Sequence, residues 1–257
     1  MSLGPLFIMF AVNAALADKW EPPENPDPQS ILTEAQADVR DKRYEIALDK
    51  FVWFHEHALE FQPAMTGVRL SFALGYWYDL GQKYPPALDK LEDARDVAAR
   101  KVADGTNLVA SFHDFASINR TLDEETLTQE LFEVLDSQNA KAAKKVFGLA
   151  QPALVRAKAY ALCAKYLEPE SDFKRMKLIY NQGKKLADNP LIGKRHLDFA
   201  NRKFTNEVTT LVALLAANER KPEAEEIAKQ AREEWDDDTF HKDIESALEG
   251  KVPDPWP

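Results

Sequence analysis

Glycine is scarce in this chain, 9 of 257 residues, about half of the roughly 7% usual in globular proteins. Hairpin turns and phosphate-cradling loops draw on the positive-φ freedom of glycine, so its scarcity turns attention from strands towards helices. Cysteine is scarcer still: Cys163 is the only one, which rules out an internal disulfide and every Cys-x-x-Cys metal or redox pair. Basic residues are outnumbered 33 to 43, and the formal charge of −10 weighs against a nucleic-acid partner, because phosphate neutralisation needs clustered Lys and Arg. Apolar runs are short. The longest, residues 6–17, falls well below the roughly 20 residues that span a bilayer, so no transmembrane segment is expected. His-Glu-x-x-His, Gly-x-Ser-x-Gly and Gly-x-x-x-x-Gly-Lys patterns are also missing, so the sequence calls for no metal and no cofactor.

The run at residues 6–17 has the length of a signal-peptide core. It is broken only by Asn13 and ends in Ala15-Leu16-Ala17, which puts small residues at the two places a signal peptidase reads. Cleavage after Ala17 and a periplasmic or secreted protein are the expectation, with a buried N-terminal helix as the alternative, since no Lys or Arg precedes the run. The organisation read from composition is a signal at residues 1–17, a Pro-rich linker at 18–29, a helical domain at 30–250 and a Pro-rich tail at 251–257.

Prolines mark these boundaries. Seven interior ones (Pro63, Pro85, Pro86, Pro152, Pro169, Pro190 and Pro222) fall between stretches of helical periodicity, where a missing N–H is tolerated at a first turn. In the segment 86–100, Leu88, Leu91, Ala94, Val97 and Ala98 recur on one side and charged residues occupy the other. Similar stripes run through Val208, Leu211, Val212 and Leu215, and through Ala224, Ile227, Ala228, Ala231 and Trp235. Ser171 is placed as the N-cap of one helix, and Asp236, Asp237 and Asp238 end one helix and cap the next, which should stop at Gly250. Cys163 sits in an apolar pattern and reads as a small core residue. No strand-like alternation is present, so the fold class is all-α.

One segment repeats. Leu74, Gly75 and Tyr78, a short polar turn, then Tyr84, Ala87, Leu91 and Ala94 form a helix–turn–helix pattern in which Gly75 and Ala87 are placed where paired helices approach closely. Tyr44, Ala47, Leu48 and Phe51 repeat its second half 40 residues upstream, with Ala35 in the place of Gly75. Phe115, Ala116 and Asn119 match its first half 41 residues downstream, with Phe132 in the place of Leu91. Leu211, Val212 and Leu215 lead into Ala224, Ala228 and Ala231 as a further copy. The pattern resembles the tetratricopeptide repeat, although the offsets exceed that family's period of about 34 residues. The resemblance implies antiparallel helix pairs stacked into a right-handed solenoid, and a protein or extended-peptide partner bound on an inner groove.

Mapping the groove-lining positions of that family onto this chain gives Arg69, Phe72, Tyr76 and Asp79 from the clearest copy and His113, Ser117 and Arg120 from the next. Aromatic faces and two guanidinium groups imply a partner segment with apolar and acidic side chains. Leu32, Gln36, Phe72 and Tyr76 stand where chaperone-binding members carry a Lys and Asn clamp, so that clamp is not expected. His55 and His57 point about 200° apart on a helix and cannot clasp one metal. The expectation is thus an exported scaffold without catalysis. Two alternatives stay open: a glycan-active helical enzyme of the same compartment with Asp79 and Asp114 as acid and base, or a self-associating structural subunit.

Overall fold

The computed structural model describes residues 20–189 and 193–256. The expected signal at residues 1–17, its cleavage point and Pro190 lie outside the described residues. Among those described, every regular element is a helix. No helix is long and apolar enough to cross a membrane. The chain divides between Leu91 and Glu92 into two compact units.

The first unit holds α1 (Pro28–Arg40), α2 (Tyr44–Phe61), a 3-10 turn at Pro63–Met65, α3 (Thr66–Arg69), α4 (Phe72–Gly81) and the start of α5 (Pro86–Ala103). Helix α1 begins inside the expected linker, because the Asp27 carboxylate accepts the Ser30 N–H at 3.1 Å and Pro28 pre-sets the first turn. Helices α1 and α2 pack together with Ile31, Leu32, Ala35, Ala47 and Phe51 buried. Between them Lys50 is buried with its ammonium 2.8 Å from Glu34 and 2.9 Å from Asp38, and Asp38 also takes Arg43 at 2.5 Å. Burial works against the Lys50 charge, but hydrogen bonds to Glu34 and Asp38 outweigh it and raise its pKa above the ordinary value. The Trp20 ring lies edge-on to Trp53, centroids 6.2 Å apart, and under the Lys50 ammonium, so the linker is fastened to α2.

Gly75 is not at a close helix contact: a Cβ built there meets nothing within 4 Å. Burial on α4 follows Ala73, Leu74, Trp77, Leu80 and Gly81, a stripe that Gly75 stands beside. The tight position is Gly81, where a Cβ would come within 2.5 Å of Leu88 Cγ at the start of α5. Trp77 seals the same corner by donating its indole N–H to the Ala87 carbonyl at 2.8 Å.

The second unit holds the rest of α5, then α6 (Leu108–Leu122), α7 (Glu125–Gln138), α8 (Ala140–Arg156), α9 (Tyr160–Ala164), α10 (Pro169–Ala187), α11 (Gly193–Ala217), α12 (Lys221–Glu234) and α13 (Asp238–Leu248). Helices α6, α7 and α8 pack on one another, while α9, α10, α12 and α13 all pack on α11. Residues 208–215 of α11 are buried all round, as a helix covered on several sides must be. Aromatic rings fill this core: Tyr180 stacks on Phe204 at 4.3 Å, Trp235 on Phe240 at 4.9 Å, and Phe132 sits edge-on to Tyr166 at 5.5 Å. Cys163 is fully buried, which pushes its thiol up to about 12 and fits the core role.

Asp237 caps α13 as expected, accepting N–H groups of Thr239 and Phe240 at 3.0 and 2.9 Å, and Gly250 follows its end with φ of +81°. Two expectations change. Ser171 is not a cap, because α10 already starts at Pro169, and Pro152 does not separate helices but lies within α8. A proline has no N–H, so the carbonyl four residues back, that of Gly148, lacks its usual helical donor. The continuous burial of Ala150, Ala153, Leu154 and Val155 carries the helix through that defect.

A groove along the second unit

Four adjoining cavities line one face of the second unit. The roomiest, about 490 Å³, lies among α11, α13 and the tail, between Asn201, Thr205, Trp235, Asp243 and Trp256. It shares Asn206 and Trp256 with a cavity of about 160 Å³ against α8, α10 and α11. That one shares Met176 and Glu207 with an apolar cavity of about 190 Å³ lined by Ile179, Leu186 and Phe199. It also shares Gly148 and Pro152 with a cavity of about 140 Å³ under α6 and α7. Shared lining residues set the four side by side as a broken groove.

An extended segment of this same chain forms part of the groove's wall. Residues 251–256 are non-helical; Lys251 and Pro253 line the roomiest cavity, Pro255 lines the next, and Trp256 lines both. Asn206 on α11 donates its amide N–H to the Asp254 carbonyl at 2.7 Å. The Trp256 ring stands edge-on to Phe199, centroids 5.6 Å apart, and Val252 packs on the core. Proline suits such a segment, since its fixed φ lowers the cost of holding an extended backbone.

Of the residues singled out from sequence, His113, Ser117 and Arg120 come together on one face of α6 and line the 140 Å³ cavity. Ser117 is 1% exposed, and its hydroxyl has no hydrogen-bond partner among the described residues. Opposite, Thr128 on α7 accepts the Asn119 amide N–H at 3.0 Å. Glu125, on the same wall, is neutralised by Arg156 at 2.5 Å, whereas Arg120 is exposed and pairs with no carboxylate among the described residues.

The other four lie in the first unit. Arg69 is buried at the end of α3, its Nε donating to the His55 carbonyl at 2.5 Å, which makes it a fastener between α2 and α3. Phe72 is 66% exposed, Tyr76 half-buried and Asp79 exposed on α4. Leu32, at a place matched to the chaperone clamp, is buried. Asp79 and Asp114, the acid and base of the enzyme alternative, belong to different units. Among the described residues no three His, Cys, Asp or Glu side chains gather as a metal site.

Sequence reasoning passed over Asn206, Phe199, Gly148 and Trp256. The available signal was a tryptophan among prolines at the chain end: a large apolar ring in a segment without periodicity gains more from docking than from hanging in water. No protein-family model, no curated protein and no solved structure matches this chain.

Proposed function

We propose that this protein is a binding module without chemistry of its own, built of tetratricopeptide-like helix pairs, whose second unit takes an extended, proline-containing segment of a partner protein. The observation that carries this is the tail at residues 251–256, which docks along the groove's edge through a backbone hydrogen bond and a ring contact, the two devices by which a groove holds an extended peptide. The helix-pair reading is supported by Tyr44 and Tyr84, matched positions 40 residues apart whose rings meet at 6.1 Å, and by the equal burial of Ala35, Ala47, Ala87 and Leu91. In this proposal the tail is a tethered competitor, present at an effective concentration on the order of millimolar.

The test is fluorescence anisotropy with a labelled peptide copying residues 250–256, titrated with the full chain. Trp256→Ala, which vacates the ring site, should bind the peptide at least about tenfold tighter than wild type, and adding Asn206→Ala should weaken that binding again. Absence of binding to Trp256→Ala would overturn the groove. The proposed compartment is the periplasm or the exterior, and the N-terminus of the protein from its native host should read from Asp18. Retention of Met1 would overturn that part alone.

A further inference from the structure

Among the described residues the docked tail borders only part of the groove. Pro255 and Trp256 line one cavity together with Gly148 and Pro152, and the latter two also line the cavity of His113, Ser117 and Arg120. Where the two cavities adjoin, a Cβ on Gly148 would meet nothing within 4 Å, so open space lies over bare helix backbone. A glycine within a helix costs roughly 0.5–1 kcal/mol relative to alanine, and here it leaves the way clear. The Gly148 carbonyl, deprived of its helical donor by Pro152, faces the need for an N–H from elsewhere. The second cavity presents a buried hydroxyl without a partner and a guanidinium without a carboxylate among the described residues, while Glu125 is cancelled by Arg156. The surplus charge of this cavity is positive in a chain whose net charge is −10.

Resting on the groove function proposed above, we infer that the partner is an extended protein segment of Pro-Trp type followed, after one to three intervening residues, by an aspartate or glutamate whose side chain enters the cavity of Ser117 and Arg120. The direction follows from the tail, in which Pro253 lines only the roomiest cavity, Pro255 only the one adjoining this pocket, and Trp256 both. An extended chain advances about 3.3 Å per residue, so one to three residues cross the shared wall. The incoming carboxylate accepts from the Arg120 guanidinium and the Ser117 hydroxyl, and the segment's backbone N–H groups pass over the Gly148 carbonyl.

The experiment uses the full chain carrying Trp256→Ala and labelled, C-terminally amidated peptides with the sequence Val-Pro-Asp-Pro-Trp, extended by one, two or three glycines and then either glutamate or glutamine. At one spacing the glutamate peptide should bind about tenfold tighter than its glutamine twin. Arg120→Ala should erase that advantage and Ser117→Ala should reduce it, with the urea midpoint of each variant confirming that the fold is intact. Equal binding of the twins at every spacing, or a glutamate preference that survives Arg120→Ala, would overturn the acid-reading pocket and leave the groove standing. Binding of neither twin would overturn the groove and the pocket together.

Discussion

Gly75 and Gly81 lie six residues apart in one short helix and invite the same sequence argument, yet their surroundings are opposite. At Gly81 any side chain must displace Leu88, and the Leu88 backbone nitrogen is only 3.2 Å from the Cβ position. Gly81→Ala should therefore lower stability by about 1–3 kcal/mol. Gly75→Ala meets open space and should raise stability by roughly 0.5–1 kcal/mol through helix propensity. Urea midpoints of the two variants check this, and equal shifts would show that α4 packs otherwise. Arg69 teaches the same lesson, since a charged residue beside apolar ones suggests a surface, whereas its fork reaches back to a carbonyl 14 residues earlier. A partner so far along the chain leaves no mark in local spacing. Cys163 was legible because burial of a small apolar side chain is what its local pattern calls for.

Among elements, the amphipathic stripes placed α5, α12 and the C-terminal part of α11 close to where they are found, because a 3.6-residue period is a local property, whereas the stretch of α11 from Gly193 was not marked by its stripe. Prolines read as punctuation served at Pro86, Pro169 and Pro222, each in a first turn or at its edge. Pro152 departs from this. Its missing donor and ring crowding cost about 3 kcal/mol or more in a helix interior, and tertiary burial on both sides offsets that cost. Pro152→Ala should accordingly raise the thermal midpoint of the full chain, followed by circular dichroism at 222 nm. An unchanged or lower midpoint would show that α8 carries no strain there. On α6 the mapped set His113, Ser117 and Arg120 does share a cavity, because spacings of four and three residues place side chains on one helical face wherever the helix packs.

For the molecule as a whole, carboxylates outnumber cations, so acid relieves general repulsion while it removes particular ties. Glu234 is such a tie, held by Lys177 at 2.6 Å, Asn181 at 3.0 Å and Lys184 at 3.3 Å, which join α10 to α12. Burial raises its pKa, but those hydrogen bonds outweigh burial and hold it below its ordinary 4.5. A depressed carboxyl contributes stability above its unfolded value and loses it as the pH falls through the folded one. Asp136, bound by Lys165 and Tyr166, is depressed in the same way. Wild type should thus lose stability steeply below about pH 4.5, and Glu234→Gln should flatten that fall in urea titrations at descending pH. A parallel fall in both would remove Glu234 from the account. By itself the sequence determined the helical class, the positions of several helices, the core role of Cys163 and the meeting of three residues on α6, all of which follow from period, caps and hydrophobicity within a few residues. Only the tertiary structure decided which glycine is crowded, that Arg69 is a buried fastener, and that a tail without periodicity lines a groove, because those outcomes depend on surfaces brought together from distant parts of the chain.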